Sequence, residues 1–140
     1  MTIKEIQEEI IDEFSMFDDW MERYEYIIEL GKSLPLIDTT FKKDENLIVG
    51  CQSKVWLHSE IKDQKLSFTA DSDAILTKGI VAILLRIFNE QTPATILEAD
   101  LFFIDKIGLK EHLSPTRANG LVSMIKQIKL YALAFQSKLS

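Results

Sequence analysis

The sequence predicts an α+β fold: a small three-stranded antiparallel sheet packed against helices, in the order ααβββα(αα)α. Two observations carry this. Apolar residues recur at helical spacing at both ends of the chain, and between them the period changes to strict alternation around residues 55–69. Strands grouped in the middle and helices grouped on either side give a segregated α+β architecture rather than an alternating one.

The elements read in order as follows. Residues 3–17 form an amphipathic helix, with Ile3, Ile6, Ile10, Phe14 and Phe17 on one side and Glu5, Glu8, Glu9 and Glu13 mostly on the other. Asp18 or Asp19 caps a second helix from Trp20, which Gly31 ends and Pro35 prevents from continuing. Leu47 to Val49 make a short strand leading into Gly50-Cys51-Gln52. Val55, Leu57 and Ile61 alternate with Trp56, His58 and Glu60 in the next strand, and residues 65–69 return as its partner after a polar turn. Ser72 or Asp71 caps an apolar helix reaching Phe88, and the acidic residues suit its positive end. Thr92-Pro93 opens a short helix and Asp100 caps another over 101–107, closed by Gly108. Ser114-Pro115 starts the last long helix, with a stripe of Leu121, Met124, Ile125, Ile128, Tyr131, Ala132 and Phe135.

The 140 residues fit one domain, 1–140, and 46% hydrophobic residues support a core without disulfide or metal. The most apolar run, Gly79 to Leu85, is far too short to cross a membrane and reads as a buried helix. The N-terminal MTIKEIQEEI lacks the basic start and apolar core of a signal peptide, and one cysteine cannot form an internal disulfide. The expected location is the cytoplasm. A net charge of −6 and three dispersed arginines, Arg23, Arg86 and Arg117, argue against a nucleic-acid partner.

Most catalytic constellations are missing. The sequence has no glycine-rich phosphate loop, no Cys-x-x-Cys and no helical histidine pair, so neither cofactor nor metal is expected. With one cysteine and two histidines, an iron–sulfur cluster held by this chain alone is not expected either. What remains is Cys51, behind a glycine and between two strands. Gly50 permits backbone conformations that suit a tight loop presenting a side chain. A lone thiol cannot resolve its own persulfide, so it can hold an added sulfur until a second protein attacks it. Three readings stand at this point: a sulfur carrier, a thiol redox sensor, and an adaptor with an inert buried cysteine.

Three segments resemble the SufE family, in its order. They are Leu47-Ile48-Val49-Gly50-Cys51-Gln52-Ser53-Lys54-Val55-Trp56-Leu57, then Asp71-Ser72-Asp73-Ala74 with Lys78-Gly79, and His112-Leu113-Ser114-Pro115-Thr116-Arg117-Ala118-Asn119-Gly120-Leu121. The resemblance implies a fold like that of the IscU-type scaffolds, and Cys51 as persulfide acceptor. It further implies a pyridoxal-phosphate-dependent cysteine desulfurase of SufS or CsdA type as partner, which the carrier stimulates, and a SufB-containing scaffold as recipient. Supporting or partner-contact candidates are Gly50, Gln52, Ser53, Asp73 and Arg117. Ala70, Thr116 and Ala118 depart from residues frequent in the family, away from the acceptor itself.

Among other polar residues, His58 reads as a solvated strand residue, His112 as a loop-ordering one and Trp56 as packing. Asp71 and Asp73 read first as caps. Arg117 is a candidate to stabilise the Cys51 thiolate, because a cation lowers a thiol pKa. Gly120 inside a helix costs about 1 kcal/mol by propensity, which a close approach of the Cys51 loop would explain.

Overall fold

A computed structural model describes residues 1–139. Helices α1 (Ile3–Phe14) and α2 (Trp20–Leu30) precede the hairpin β1 (Val55–Lys62) and β2 (Lys65–Ser72). Then come α3 (Ile75–Phe88), the short α4 (Pro93–Glu98), α5 (Phe103–Lys106) and α6 (Leu109–His112), and the long α7 (Pro115–Leu139).

Among the described residues the sheet has two strands, not the three expected. β1 and β2 pair antiparallel with Val55 opposite Ser72 and Lys62 opposite Lys65. The 47–49 segment makes a single bridge, Leu47 to Trp56, with Ile48 N–H donating to the Val55 carbonyl at 2.9 Å. The chain cannot continue as a strand because Gly50 turns it away at φ 95°. On the other edge of the hairpin, the Ala70 N–H donates to Pro35 and the Leu66 N–H to Gln91. These loop contacts cover an edge that would otherwise offer unpaired backbone groups.

The core is built on α3. Its Leu76, Ile80, Val81, Ile83, Leu84, Leu85, Ile87 and Phe88 are all buried, which is why the apolar run has no polar face. Ile10 and Phe14 reach it from α1, Ile27 from α2, Leu57, Leu66 and Phe68 from the hairpin, and Leu121, Met124, Ile128 and Ala132 from α7. Ile125, Tyr131 and Phe135, expected in the same stripe, are half-buried at its edge. Where α2 meets α3 the backbones nearly touch. A Cβ on Gly79 would lie 2.1 Å from the Ile27 carbonyl oxygen, and one on Gly31 would lie 3.1 Å from the Gly79 nitrogen. Gly31 is right-handed at φ −59°, so close approach rather than a left-handed helix end accounts for glycine there.

Other boundaries move for local reasons. Helix α1 stops at Phe14, three residues early; Phe17 sits in the following turn, where it packs on Tyr26 at 5.0 Å between ring centroids. Neither Asp71 nor Ser72 caps α3, whose N-cap is Ala74 with no side-chain bond. β2 runs on to Ser72 because Ala70, fully buried, still faces the core. Asp100 does not cap the 101–107 segment. There Gln7 of α1, itself buried, accepts from the Phe103 N–H at 3.1 Å and donates to the Asp100 carbonyl at 3.0 Å. Asp19, Thr92 and Ser114 do accept from the helix starts they precede. No helix among the described residues is long and apolar enough to cross a membrane.

Candidate functional site

The Cys51 loop is pinned at both ends and docked in the middle. At its start, Ile48 bonds to Val55. At its end, the Asp73 carboxylate accepts from the Lys54 N–H at 3.0 Å, and the Asp73 N–H returns a bond to the Lys54 carbonyl at 3.2 Å. Asp73 is therefore a loop anchor rather than a helix cap. Asp71 acts nearby as an ion-pair hub, 3.0 Å from Lys42 and 3.3 Å from Lys78. Lys42 also stands 4.6 Å over the Trp56 ring, tying the 39–46 segment to β1.

Between these anchors the loop rests on α7. The Cys51 thiol points at the Gly120 carbonyl, with Sγ 3.6 Å from the oxygen. Gly120 is buried, and a Cβ added to it would lie 3.6 Å from Sγ and 3.9 Å from the Cys51 Cα. The close approach expected for this helical glycine is present, although a methyl group would fit in ordinary contact. One turn later, Ser123 lies against Gly50, where an added Cβ would come 2.5 Å from its Oγ. Position 50 thus requires glycine twice over, for its φ of 95° and for this contact.

Cys51 is half-buried and opens on a cleft of about 420 Å³ that also brings Gln52, Ser53, Asp73 and Arg117 together. Gly50 belongs to the same loop but is not in the lining. Ser123, against the loop, and the buried Thr77 and Ile80 behind the cleft escaped the sequence reading as site residues, and Met124, read there only as core, lines the cleft as well. None of them carried a local sequence signal for the site; Ser123 gains its place only when the fold brings Gly50 against it.

Burial pushes the Cys51 thiol above its ordinary pKa, and no neighbouring charge offsets it. At rest the sulfur is a thiol, not a thiolate, at neutral pH. Arg117 is exposed and lines the same cleft, and burial is the cause of the raised Cys51 value at rest. The histidines are placed elsewhere. His58 is half-buried rather than fully solvated, stacked on Phe41 at 3.8 Å and 3.2 Å from Glu60. His112 stacks on Trp20 at 4.2 Å and its Nδ1 lies 2.8 Å from the Gly108 carbonyl oxygen, which orders the turn before α7. Among the described residues, no three His, Cys, Asp or Glu side chains are grouped to hold a metal ion.

A half-buried, neutral thiol on a loop beside an open cleft must be deprotonated before it can attack as a thiolate. Comparison with known proteins gives this geometry a context. Residues 8–132 match the family model described as "SufE: Fe-S metabolism associated domain". The chain is 46% identical over 127 residues to an uncharacterized SufE-like protein of Rhizobium meliloti (strain 1021), covering 87% of this chain and 91% of that one. It is 43% identical over 127 residues to another of Rhizobium etli, covering 87% and 86%. Among solved structures, the solution structure of a hypothetical protein from Thermus thermophilus superposes with a TM-score of 0.78 at 16% identity, covering 94% of this chain and 96% of that one. At that identity the likeness is one of fold.

Proposed function

The chain belongs to the SufE family, a family associated with iron–sulfur metabolism, and from that premise we propose that it is a sulfur acceptor and carrier working through Cys51. The donor is a pyridoxal-phosphate-dependent cysteine desulfurase of SufS or CsdA type, which the carrier stimulates by emptying its active-site persulfide. The recipient is a SufB-containing iron–sulfur scaffold, and the setting is the cytoplasm. Residues 1–140 act as one sulfur-carrier domain, and the chain is not itself an enzyme.

The observation that carries this reading is the docking of Cys51, a lone thiol, at a cleft shared with Gln52, Ser53, Asp73 and Arg117. In the proposed step the Cys51 thiolate attacks the outer sulfur of the donor persulfide. The sulfur–sulfur bond in the donor breaks and its cysteine leaves as a thiolate. The proton given up by Cys51 restores the donor thiol, and Cys51 carries the new persulfide. Delivery repeats the exchange with Cys51 as leaving group, so no outside oxidant or reductant is needed. Gln52 and Ser53 offer polar groups beside the sulfur, and Arg117 offers an exposed cation at the rim for the partner.

A redox sensor wants a thiol of low pKa, whereas burial raises that of Cys51. An adaptor with an inert cysteine is the reading to separate experimentally. The test is desulfurase turnover of L-cysteine with reductant present, with and without the protein. Stimulation by the natural chain that disappears with Cys51→Ser supports the carrier. Equal stimulation by both proteins identifies an adaptor.

A further inference from the structure

We propose that Gly120 and Ser123 of α7 are positioning residues that together set how deeply Cys51 is held at rest, and hence how reactive its sulfur is. They occupy successive turns of one helix face, and each touches a different residue of the loop. Gly120 lies under the thiol, with its carbonyl 3.6 Å from Sγ. Ser123 lies under the hinge, where its Oγ would stand 2.5 Å from any Cβ on Gly50. Gly50 is exposed and turns at φ 95°, and Val49 before it is 90% exposed. Among the described residues, the only hydrogen bond on the loop between the backbone bonds of Ile48 and Lys54 is the Cys51 thiol's own contact with the Gly120 carbonyl. The α7 contact is therefore what decides between a docked and an undocked Cys51.

The two residues act in opposite senses. The space over Gly120 accepts a methyl group in ordinary contact with the sulfur, so an added methyl there deepens the burial of the thiol. The space at Ser123 is already filled by the loop, so a larger side chain there lifts Gly50 and Cys51 off the helix. Docking and deprotonation are linked through the burial that raises the thiol pKa. The docked loop is favoured while the thiol is neutral, and that preference is lost as pH rises through the raised value. The charged groups facing the cleft are Asp73, from the turn before α3, and Arg117, from α7; neither moves the titration at rest.

The functional meaning rests on the sulfur-acceptor reading, but the test does not. It measures the rate of Cys51 alkylation by iodoacetamide across a pH series, on the purified full chain without any desulfurase. Ser123→Leu is expected to react several-fold faster near neutral pH, with the midpoint of its pH–rate profile moved down toward that of a free cysteine. Gly120→Ala is expected to react several-fold more slowly, with its midpoint moved up. General loosening of the fold could only accelerate both. Wild-type rates in either variant, or acceleration in both, would overturn the proposal. Should Ser123→Leu fail to fold, Ser123→Val takes its place under the same criteria. Failure of sulfur transfer with these opposite shifts intact would count against the carrier function and not against the positioning role.

Discussion

Gly50→Ala sets a local strain against the hold of α7 on the loop, and the magnitudes decide which yields. A non-glycine residue at φ 95° costs about 1–3 kcal/mol. The new Cβ would meet the Ser123 hydroxyl at 2.5 Å. Moving that hydroxyl off its rotamer adds about 1 kcal/mol. Against this, docking half-buries one cysteine side chain, worth about 1 kcal/mol, and makes one weak S–H···O contact at 3.6 Å. The strain is larger, so the loop is expected to leave α7 rather than distort it. The anchors at Ile48 and Lys54 confine the change to the residues between them. Global stability by urea denaturation should then fall by about 1–2 kcal/mol, the docking energy plus residual strain. Cys51 should alkylate faster at the same time. A loss above about 4 kcal/mol would mean that the loop is a structural part of the core. An unchanged alkylation rate would mean that α7 does not restrain the cysteine. Either result would rule out a loop held weakly against the helix.

Gly79→Ala places a Cβ 2.1 Å from the Ile27 carbonyl oxygen, a backbone atom that cannot swing aside. Overpacking of about 3 kcal/mol or more outweighs the gain of about 1 kcal/mol in helix propensity, so urea denaturation should show net destabilisation; a stabilised variant would contradict the close α2–α3 crossing. Glu13 receives two bonds from the Arg86 guanidinium, at 3.0 and 2.5 Å, and that partner holds its carboxyl below the ordinary glutamate value. A lowered folded-state pKa gives stability that is present above the ordinary value and lost as pH falls through the lowered one. The pair is partly exposed, so its worth is about 1 kcal/mol after solvent screening, and Arg86→Met should lose it near neutral pH and show a shallower acid limb in a pH series of denaturation midpoints. Arg117→Ala should leave both stability and the Cys51 alkylation profile as they are, since Arg117 is exposed and burial alone shifts the thiol. A moved profile would show that Arg117 acts on the Cys51 thiolate.

Helices were legible where their periodicity and caps agreed. Trp20–Leu30 behind Asp19, Pro93–Glu98 behind Thr92 and the start at Pro115 behind Ser114 all lie where the sequence puts them. The hairpin was legible because one face is buried, so alternation fixed its register. What failed was decided by contacts distant in sequence. Gln7 takes over the capping of Phe103 from a position 96 residues away, and no local pattern announces that. The third strand failed because Leu47 to Val49 is short and Gly50 ends the extended run before a ladder can form. Asp71 and Asp73 have the composition of caps, but β2 continues through Ser72 and turns both carboxylates to other work. In the candidate site, the lone cysteine behind a glycine singled out Cys51 as a candidate, and the supporting loop residues came only with the family resemblance. The docking surface was half legible: Gly120 stood out by its helix propensity, whereas Ser123 is an ordinary helix residue until the fold brings Gly50 against it.

Sulfur acceptance by Cys51 from a desulfurase is best tested by intact mass spectrometry. The protein is mixed with a cysteine desulfurase and L-cysteine, and reductant is removed before measurement. The expected result is a mass gain of one or more sulfur atoms, reversed by a thiol reductant and absent in Cys51→Ser. A folded protein that gains no sulfur from either a SufS-type or a CsdA-type enzyme, or a gain that survives in Cys51→Ser, would contradict the carrier function.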